Sequence, residues 1–244
     1  MTGIGVLQRG GASGSAGKSR TRTASVYEVL RQDILEGRLK PGARLRFEEL
    51  RGNYQVGLSP LREALMTLAS EGLVTQEEHK GFRVAPVSKA DLFDITKMRK
   101  EVDAMAIRMA IENGDDRWES GIIAALHELG KRSKVGADGL VDSEWEVRHR
   151  AFHYALVSAC GSQWLLHFRD QLYDQADRYR RLAVQYLSAP RDDFGEHKEI
   201  ADAVLARDEE SAVYLIRRHM DKTIQILLAG DPALFSPASQ TAAK

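Results

Sequence analysis

The chain has 244 residues, its 35 lysines and arginines balance 35 aspartates and glutamates, and its single cysteine is Cys160. This length exceeds the usual size of one domain, and a lone cysteine excludes an internal disulfide. No apolar run approaches membrane-spanning length and the first twenty residues lack an apolar signal core, so we expect a cytoplasmic protein of two domains.

The charge is unevenly distributed along the chain. Residues 1–88 contain 13 lysines and arginines against 9 aspartates and glutamates, whereas the remainder contains 22 against 26. The N-terminal part is therefore modestly suited to binding phosphate. Residues 1–24 are rich in Gly, Ser, Arg and Thr and have no acidic residue, which predicts a disordered basic arm.

Residues 25–86 are predicted to form a small domain of helices and a hairpin. A helix over about 25–36 is followed by a short amphipathic run over 47–54. A further helix is expected to start at Ser59, whose side chain would cap it before Pro60, and to end at Gly72. Its buried face is predicted from apolar residues at helical spacing, namely Leu61, Ala64, Leu65, Leu68 and Ala69.

Two β-rich runs, 74–76 and 82–84, follow and flank a turn that contains Gly81. Two short helices followed by such a hairpin form a winged helix-turn-helix, which presents its second helix to a DNA major groove. From helix spacing alone, a structural role without nucleic acid explains the two helices equally well.

The motifs VYEVLRQDILEGRLKPG, LRFEEL, SPLREAL, ASEGLV and KGFRV together resemble the winged helix-turn-helix of the GntR superfamily of bacterial transcription regulators. The resemblance implies that Arg62 contacts guanine or phosphate. By the same resemblance the wing pair Lys80 and Gly81 reaches toward the minor groove. Ser59, at the start of the helix, is a candidate to hold phosphate. The secondary candidates, for which an ordinary solvated surface charge is the alternative, are Arg46, Arg51, Lys80 and Arg83.

This chain departs from the family pattern at two positions. Leu58 stands where many relatives have an arginine that reads a base, and Glu48 stands where relatives often carry arginine. The operator sequence therefore cannot be transferred from other members of the family.

Residues 87–229 are predicted to be an all-α helical bundle, because apolar residues recur every three or four positions and no β-run appears. The chain as a whole is thus expected to be mainly α, and residues 230–244 are predicted to be a flexible tail. The predicted helices cover residues 91–113, 116–134, 142–160, 162–187, 192–207 and 209–228.

Four histidines carry the most chemistry in the predicted bundle. His149 and His153 are four residues apart and share one helix face, while His197 and His219 belong to the last two helices. Imidazoles that converge across a bundle would form a divalent metal site. Spacing alone leaves open that they are solvated or bonded to neighbours.

The segments FH and EHKEIADAVLARDEESAVYLIRRH resemble the FCD effector domain of the FadR branch, in which an Asp and three His commonly hold zinc, nickel or a similar ion. The resemblance implies a bound divalent metal, zinc first, with His153, His197 and His219 as ligands. His149 occupies the position of the aspartate. Since histidine can ligate a metal, it is a candidate fourth ligand; the alternative is that the ligand at this position is lost.

The same resemblance places Arg99, in MRKEVDAMA, where a guanidinium could pair with an effector carboxylate. Arg178 and Tyr179, in DRYRRL, are also expected to reach the effector. Arg180 and Arg181 are instead expected on the surface, in salt bridges to Asp174 or Asp177.

GLSPLREAL, WEVRHRAFH, the CGS turn and DRYR more narrowly resemble the carbon-starvation type of FCD regulator, which represses genes of glutarate and 2-hydroxyglutarate catabolism. The resemblance implies a homodimer that binds palindromic operator DNA and is released by a five-carbon dicarboxylic acid. No catalytic residue is expected. Two alternatives remain at this point: a regulator for which the metal itself is the signal, and a metal-dependent hydrolase, which would lack an obvious carboxylate base.

Overall fold

The computed structural model of the protein describes residues 26–77, 81–137, 139–184, 191–230 and 235. The predicted basic arm, Lys80 and nearly all of the predicted tail lie outside the described residues. The chain divides into two compact units: the first includes residues up to 33 and 44–85, and the second includes 34–43 and the chain from Pro86 onward. No described helix is both long enough and apolar enough to cross a membrane.

The first unit combines helices with a small antiparallel sheet whose strand order is β1-β3-β2. The two outer strands both pair with β3, and Val74 lies opposite Val84 in the predicted hairpin. Strand β1 is only two residues long and was not predicted. The elements are α1 over residues 26–35, β1 (Arg44–Leu45), α2 (Phe47–Tyr54), α3 (Leu58–Ser70), β2 (Val74–Glu77) and β3 (Gly81–Val84).

The start of α3 corrects the predicted cap. The N-cap is Gly57, in extended backbone, and no side chain caps this helix end. Ser59 therefore lies inside the first turn, and the prediction that it is the N-cap is wrong. The predicted end is confirmed, because Gly72 has a φ of 73°. Such left-handed backbone suits glycine and stops the helix.

One face of α3 forms the core of the first unit. Leu61, Ala64, Leu65 and Leu68 are fully buried, as the helical spacing predicts, whereas Ala69 is half-buried. The opposite face is exposed, and it carries Arg62. Helix α3 is thus amphipathic: one face packs in the core, and the other is accessible to a partner.

The second unit is a helical bundle in which α4 packs against both α7 and α9, and α8 packs against α9. The six predicted helices of this unit are confirmed, with ends shifted by a few residues. Aspartate or serine side chains cap five of them by accepting a backbone N–H. The helices are α4 (Lys89–Asn113), α5 (Asp116–Gly130), α6 (Ser143–Ala155), α7 (Gln163–Val184), α8 (Asp193–Leu205) and α9 (Glu209–Ala229).

Leu68→Ala should test how strongly the α3 core holds the first unit. Leu68 is 0% exposed, so its truncation should leave a cavity and lower the free energy of unfolding by about 2–5 kcal/mol. Met66→Ala on the same helix, at a residue that is 56% exposed, is the control and should change it by less than about 0.5 kcal/mol. Equal losses in chemical denaturation would contradict this assignment of the core.

Candidate functional site

The structure brings the four histidines together in the interior of the second unit. His149 and His153 come from α6, His197 from α8 and His219 from α9. One nitrogen of each lies within 4.8 Å of one nitrogen of every other, and all four residues are buried. Packing of three helices is thus what assembles the cluster.

An outer carboxylate orients His219. Its Nδ1 lies 2.8 Å from Oε2 of Glu196, a carboxylate that also accepts hydrogen bonds from Arg191 and Lys222. Burial raises the pKa of Glu196, but the hydrogen bonds from His219, Arg191 and Lys222 outweigh burial and hold that pKa well below its ordinary value. An ionised acceptor at Nδ1 keeps the proton there, which leaves Nε2 of His219 as a lone-pair donor.

His149 is oriented through a tyrosine. Its Nδ1 lies 2.8 Å from the hydroxyl of Tyr173, and that hydroxyl donates to Oε1 of Glu146 at 3.2 Å. Burial raises the pKa of Tyr173, so the phenol stays neutral. Because its one proton goes to Glu146, its oxygen accepts from Nδ1 of His149. Nε2 of His149 is therefore left as a lone-pair donor.

Two rings of the cluster contact each other, and a third has no partner. Nε2 of His149 and Nε2 of His153 lie within hydrogen-bond distance, at 3.1 Å, and neither ring nitrogen of His197 has a hydrogen-bond partner in the described part of the chain. Burial lowers the pKa of each of the four histidines, that of His219 to about 4. Neutral imidazole is the form that ligates a metal, so this donor set fits a divalent ion such as zinc.

A small cavity of about 30 Å³ adjoins the cluster. It has room for roughly two water molecules, and it must expand to hold a five-carbon acid. Its polar lining combines imidazole, guanidinium and hydroxyl groups. These groups belong to Thr96, Arg99, His149, His153, Tyr179, Arg180, His219 and Thr223.

Arg99, predicted to bind the effector, lines the cavity with a side chain that is 13% exposed. Its Nε has no hydrogen-bond partner in the described chain, and one terminal nitrogen lies 3.6 Å from Asp103. Burial lowers the pKa of Arg99, and Asp103 opposes this shift. Asp103 also pairs with Arg169 at 2.6 Å, and Arg169 donates to the backbone carbonyl of His153 at 2.9 Å. One carboxylate thus supports both the cavity arginine and the backbone of a cluster histidine.

The surface position predicted for Arg180 is wrong. Arg180 is buried, forms ion pairs with Asp177 and Glu146, and lines the cavity. Arg181 pairs with Asp177 at 3.0 Å, as predicted, but its side chain is only 9% exposed, so its predicted surface position is wrong as well. The α7 face that carries Arg180 points into the bundle, which the local charge pattern did not reveal.

Arg178 and Tyr179 lie where α7 meets the chain that leaves the first unit. Arg178 donates to the carbonyl of Pro86 at 3.4 Å and is not part of the cavity lining. The hydroxyl of Tyr179 accepts from the N–H of Ser88 at 3.1 Å and donates to Asp91 at 2.6 Å. Tyr179 also lines the cavity.

The residues predicted to contact DNA are on the surface of the first unit. Arg62 lies on α3 with its guanidinium carbon 5.8 Å from the centre of the Phe47 ring, and Arg46 bonds to Glu49. The other predicted contacts within the described residues, Ser59, Arg51 and Gly81, are exposed.

Two families match the chain. Residues 94–222 match the FCD domain, and residues 22–84 match the bacterial regulatory proteins of the gntR family. The chain therefore belongs to the GntR family of bacterial transcription regulators and carries an FCD domain. It is a DNA-binding transcriptional regulator and not an enzyme, which removes the hydrolase alternative.

Individual relatives match nearly their whole length. The HTH-type transcriptional repressor GlaR of Escherichia coli K12 is 40% identical over 205 residues, which cover 82% of this chain and 93% of GlaR. The regulator BphR of Paraburkholderia xenovorans LB400 is 36% identical, covering 85% of this chain and 86% of BphR. Among solved structures, E. coli McbR/YncC has a TM-score of 0.70 at 25% identity, covering 85% of this chain and 97% of McbR/YncC.

Asp103→Ala should show whether the shared carboxylate supports the site. Asp103 and Arg169 are both 2% exposed, so the change would leave buried guanidinium charge uncompensated and should cost about 3–5 kcal/mol in stability. Glu101→Ala, on the same helix, removes a more exposed pair with Arg217 and should cost less than about 1 kcal/mol. Thermal and chemical unfolding measure both, and a neutral Asp103→Ala variant would contradict this role.

Proposed function

We propose that this protein is a cytoplasmic transcriptional repressor that binds operator DNA as a homodimer. A small dicarboxylic acid, glutarate or 2-hydroxyglutarate, releases it by binding beside a metal held by the four histidines. The observation that carries the proposal is that the four-histidine cluster and Arg99, whose buried Nε has no partner in the described part of the chain, adjoin one cavity.

The exposed face of α3 supports the DNA-binding half of the proposal. Arg62 is exposed near the start of that helix, in the place from which a guanidinium can reach base edges in a major groove. Ser59 and the free backbone N–H groups beside it suit phosphate. Arg46, Arg51, Lys80 and Gly81 complete the proposed contact surface. The proposal that the protein represses transcription rests on its 40% identity to GlaR, which is a transcriptional repressor.

The cavity supports the choice of a dicarboxylate. His149, His153, His197 and His219 would hold the ion, zinc or nickel, which supplies a positive site for one carboxylate when bound. Arg99 would pair with the other carboxylate through its unpartnered Nε. Burying two carboxylates is costly unless both are paired, and the cavity offers a partner for each.

A continuous run of α7 would transmit binding to the chain that leads to the first unit. Arg180 and Tyr179 line the cavity, Tyr179 also bonds to Ser88 and Asp91, and Arg178 bonds to Pro86. The cavity of about 30 Å³ must expand to admit the acid. Expansion of the cavity would displace α7 and change its contacts with residues 86–91. The acid would therefore favour one of two arrangements of α7 and this segment.

Arg62→Ala should weaken binding to the protein's own promoter DNA by about 1–3 kcal/mol, because a guanidinium contact in the groove is lost. Fluorescence anisotropy measures the affinity at fixed salt. Arg132→Ala, an exposed arginine of the second unit, is the matched control and should leave the affinity unchanged. Equal affinities for all three proteins would remove Arg62 from the interface.

Glutarate or 2-hydroxyglutarate should lower the affinity of the protein for promoter DNA in the same assay, and chelation of the metal should abolish that response.

Tyr179→Phe removes the hydroxyl bonded to Ser88 and Asp91. The variant should still bind glutarate, as measured by calorimetry, but glutarate should lower its affinity for DNA less than that of the wild type. Release of DNA by zinc alone would favour the metal-responsive alternative. DNA binding that no acid alters would refute the effector assignment and leave the DNA-binding function intact.

A further inference from the structure

We propose that His149 sets the metal selectivity of this protein, by making an all-nitrogen site that accepts Co²⁺, Ni²⁺, Cu²⁺ or Zn²⁺ and discriminates against Mn²⁺, Mg²⁺ and Ca²⁺. The inference rests on the metal site of the proposed function and adds which ions that site takes. It follows from the composition of the cluster and from where the nearby carboxylates are bonded.

The cluster contains only imidazole donors. Within the described ranges, the group of converging ligand atoms consists of His149, His153, His197 and His219, without an aspartate or glutamate oxygen. Imidazole suits zinc, copper and nickel, whereas magnesium, calcium and manganese prefer carboxylate, carbonyl and water oxygens. Four nitrogen donors therefore favour the first group of ions.

Two carboxylates are present, but each acts one step away from the ligand nitrogens. Glu196 bonds directly to Nδ1 of His219, and Glu146 reaches Nδ1 of His149 through the hydroxyl of Tyr173. Both arrangements occupy Nδ1 of the ring, which leaves Nε2 of His149 and of His219 as the nitrogen available to an ion. Their negative charge orients ligands and does not supply an oxygen donor.

The position of Tyr173 favours histidine over aspartate at residue 149. A tyrosine that donates to Glu146 presents an oxygen lone pair, which accepts from an imidazole N–H and would face a carboxylate with like charge density. Trp145 stacks on the His149 ring, with centroids 4.5 Å apart and planes at 22°. The surroundings of residue 149 are therefore built for an imidazole ring.

An all-imidazole site also leaves the charge of a bound divalent ion undiminished, because no ligand is anionic. Arg99 lines the same cavity with an unpartnered Nε, so the site as a whole favours an anion. This charge balance is consistent with an effector that brings its own carboxylates.

The test is equilibrium metal binding to the full-length protein, by competition with a fluorescent chelator, using Zn²⁺ and Mn²⁺ separately. Wild type should bind Zn²⁺ and show little affinity for Mn²⁺. His149→Asp, which introduces an oxygen donor, should narrow the ratio of the two dissociation constants by about tenfold or more. His167→Asp makes the same chemical change at an exposed histidine outside the cluster and should alter neither constant.

Tyr173→Phe provides a second variant that keeps the ring and removes only the bridging hydroxyl. It should weaken Zn²⁺ binding by about 10- to 100-fold without improving Mn²⁺ binding. Circular dichroism checks that each variant is folded. If His149→Asp is not folded, the metal affinities of Tyr173→Phe test the proposal in its place.

Three results would overturn the inference: equal affinity of wild type for Zn²⁺ and Mn²⁺, an unchanged ratio in folded His149→Asp, or normal Zn²⁺ affinity in Tyr173→Phe. The first two leave a metal site standing and reject only its selectivity. Failure of wild type to bind any divalent ion would also remove the metal from the proposed function.

Discussion

The architecture of the second unit depends on burying four imidazole rings with nitrogen atoms directed at one point. A buried polar atom without a partner costs about 1–3 kcal/mol, so the unpartnered ring of His197 lowers the stability of the fold when no ligand is bound. Hydrogen bonds to Glu196 and Tyr173 satisfy the outer nitrogens of two rings. A cation held by the four rings would be a partner for His197, whose two ring nitrogens have none in the described part of the chain, and for this reason the cluster points to a ligand and not to ordinary core packing.

Helix α7 connects this cluster to the rest of the protein. Arg169 holds the His153 carbonyl, Tyr173 orients His149, Arg180 lines the cavity, and Tyr179 bonds to Ser88 just beyond the first unit. One helix therefore contacts the histidines, lines the cavity and bonds to the segment that follows the first unit.

Much of the fold and part of the histidine site could be predicted from the sequence, because the apolar residues that mark helices recur periodically. Apolar spacing located α3 and the six bundle helices, and family motifs selected His153, His197 and His219 from seven histidines. Other features were out of reach. The cap of α3 depends on the extended backbone of Gly57, and a strand as short as β1 has no pattern.

The errors on α7 have a common physical cause. A helix buried on several sides carries charged residues inside, so local charge pairs such as Arg180 with Asp177 do not mark its surface face. The bond from Tyr173 to Glu146 joins residues 27 positions apart, and only the packing of α6 on α7 creates it. Sequence spacing contains no record of such contacts.

Whether the four buried histidines hold a metal is tested most directly by X-ray absorption at the zinc edge of the full-length protein loaded with one equivalent of zinc. If they do, the zinc ligands include imidazole nitrogens at about 2.0–2.1 Å and no sulfur. A sulfur ligand from Cys160, or zinc surrounded only by oxygen, would show that the buried histidines do not hold the ion.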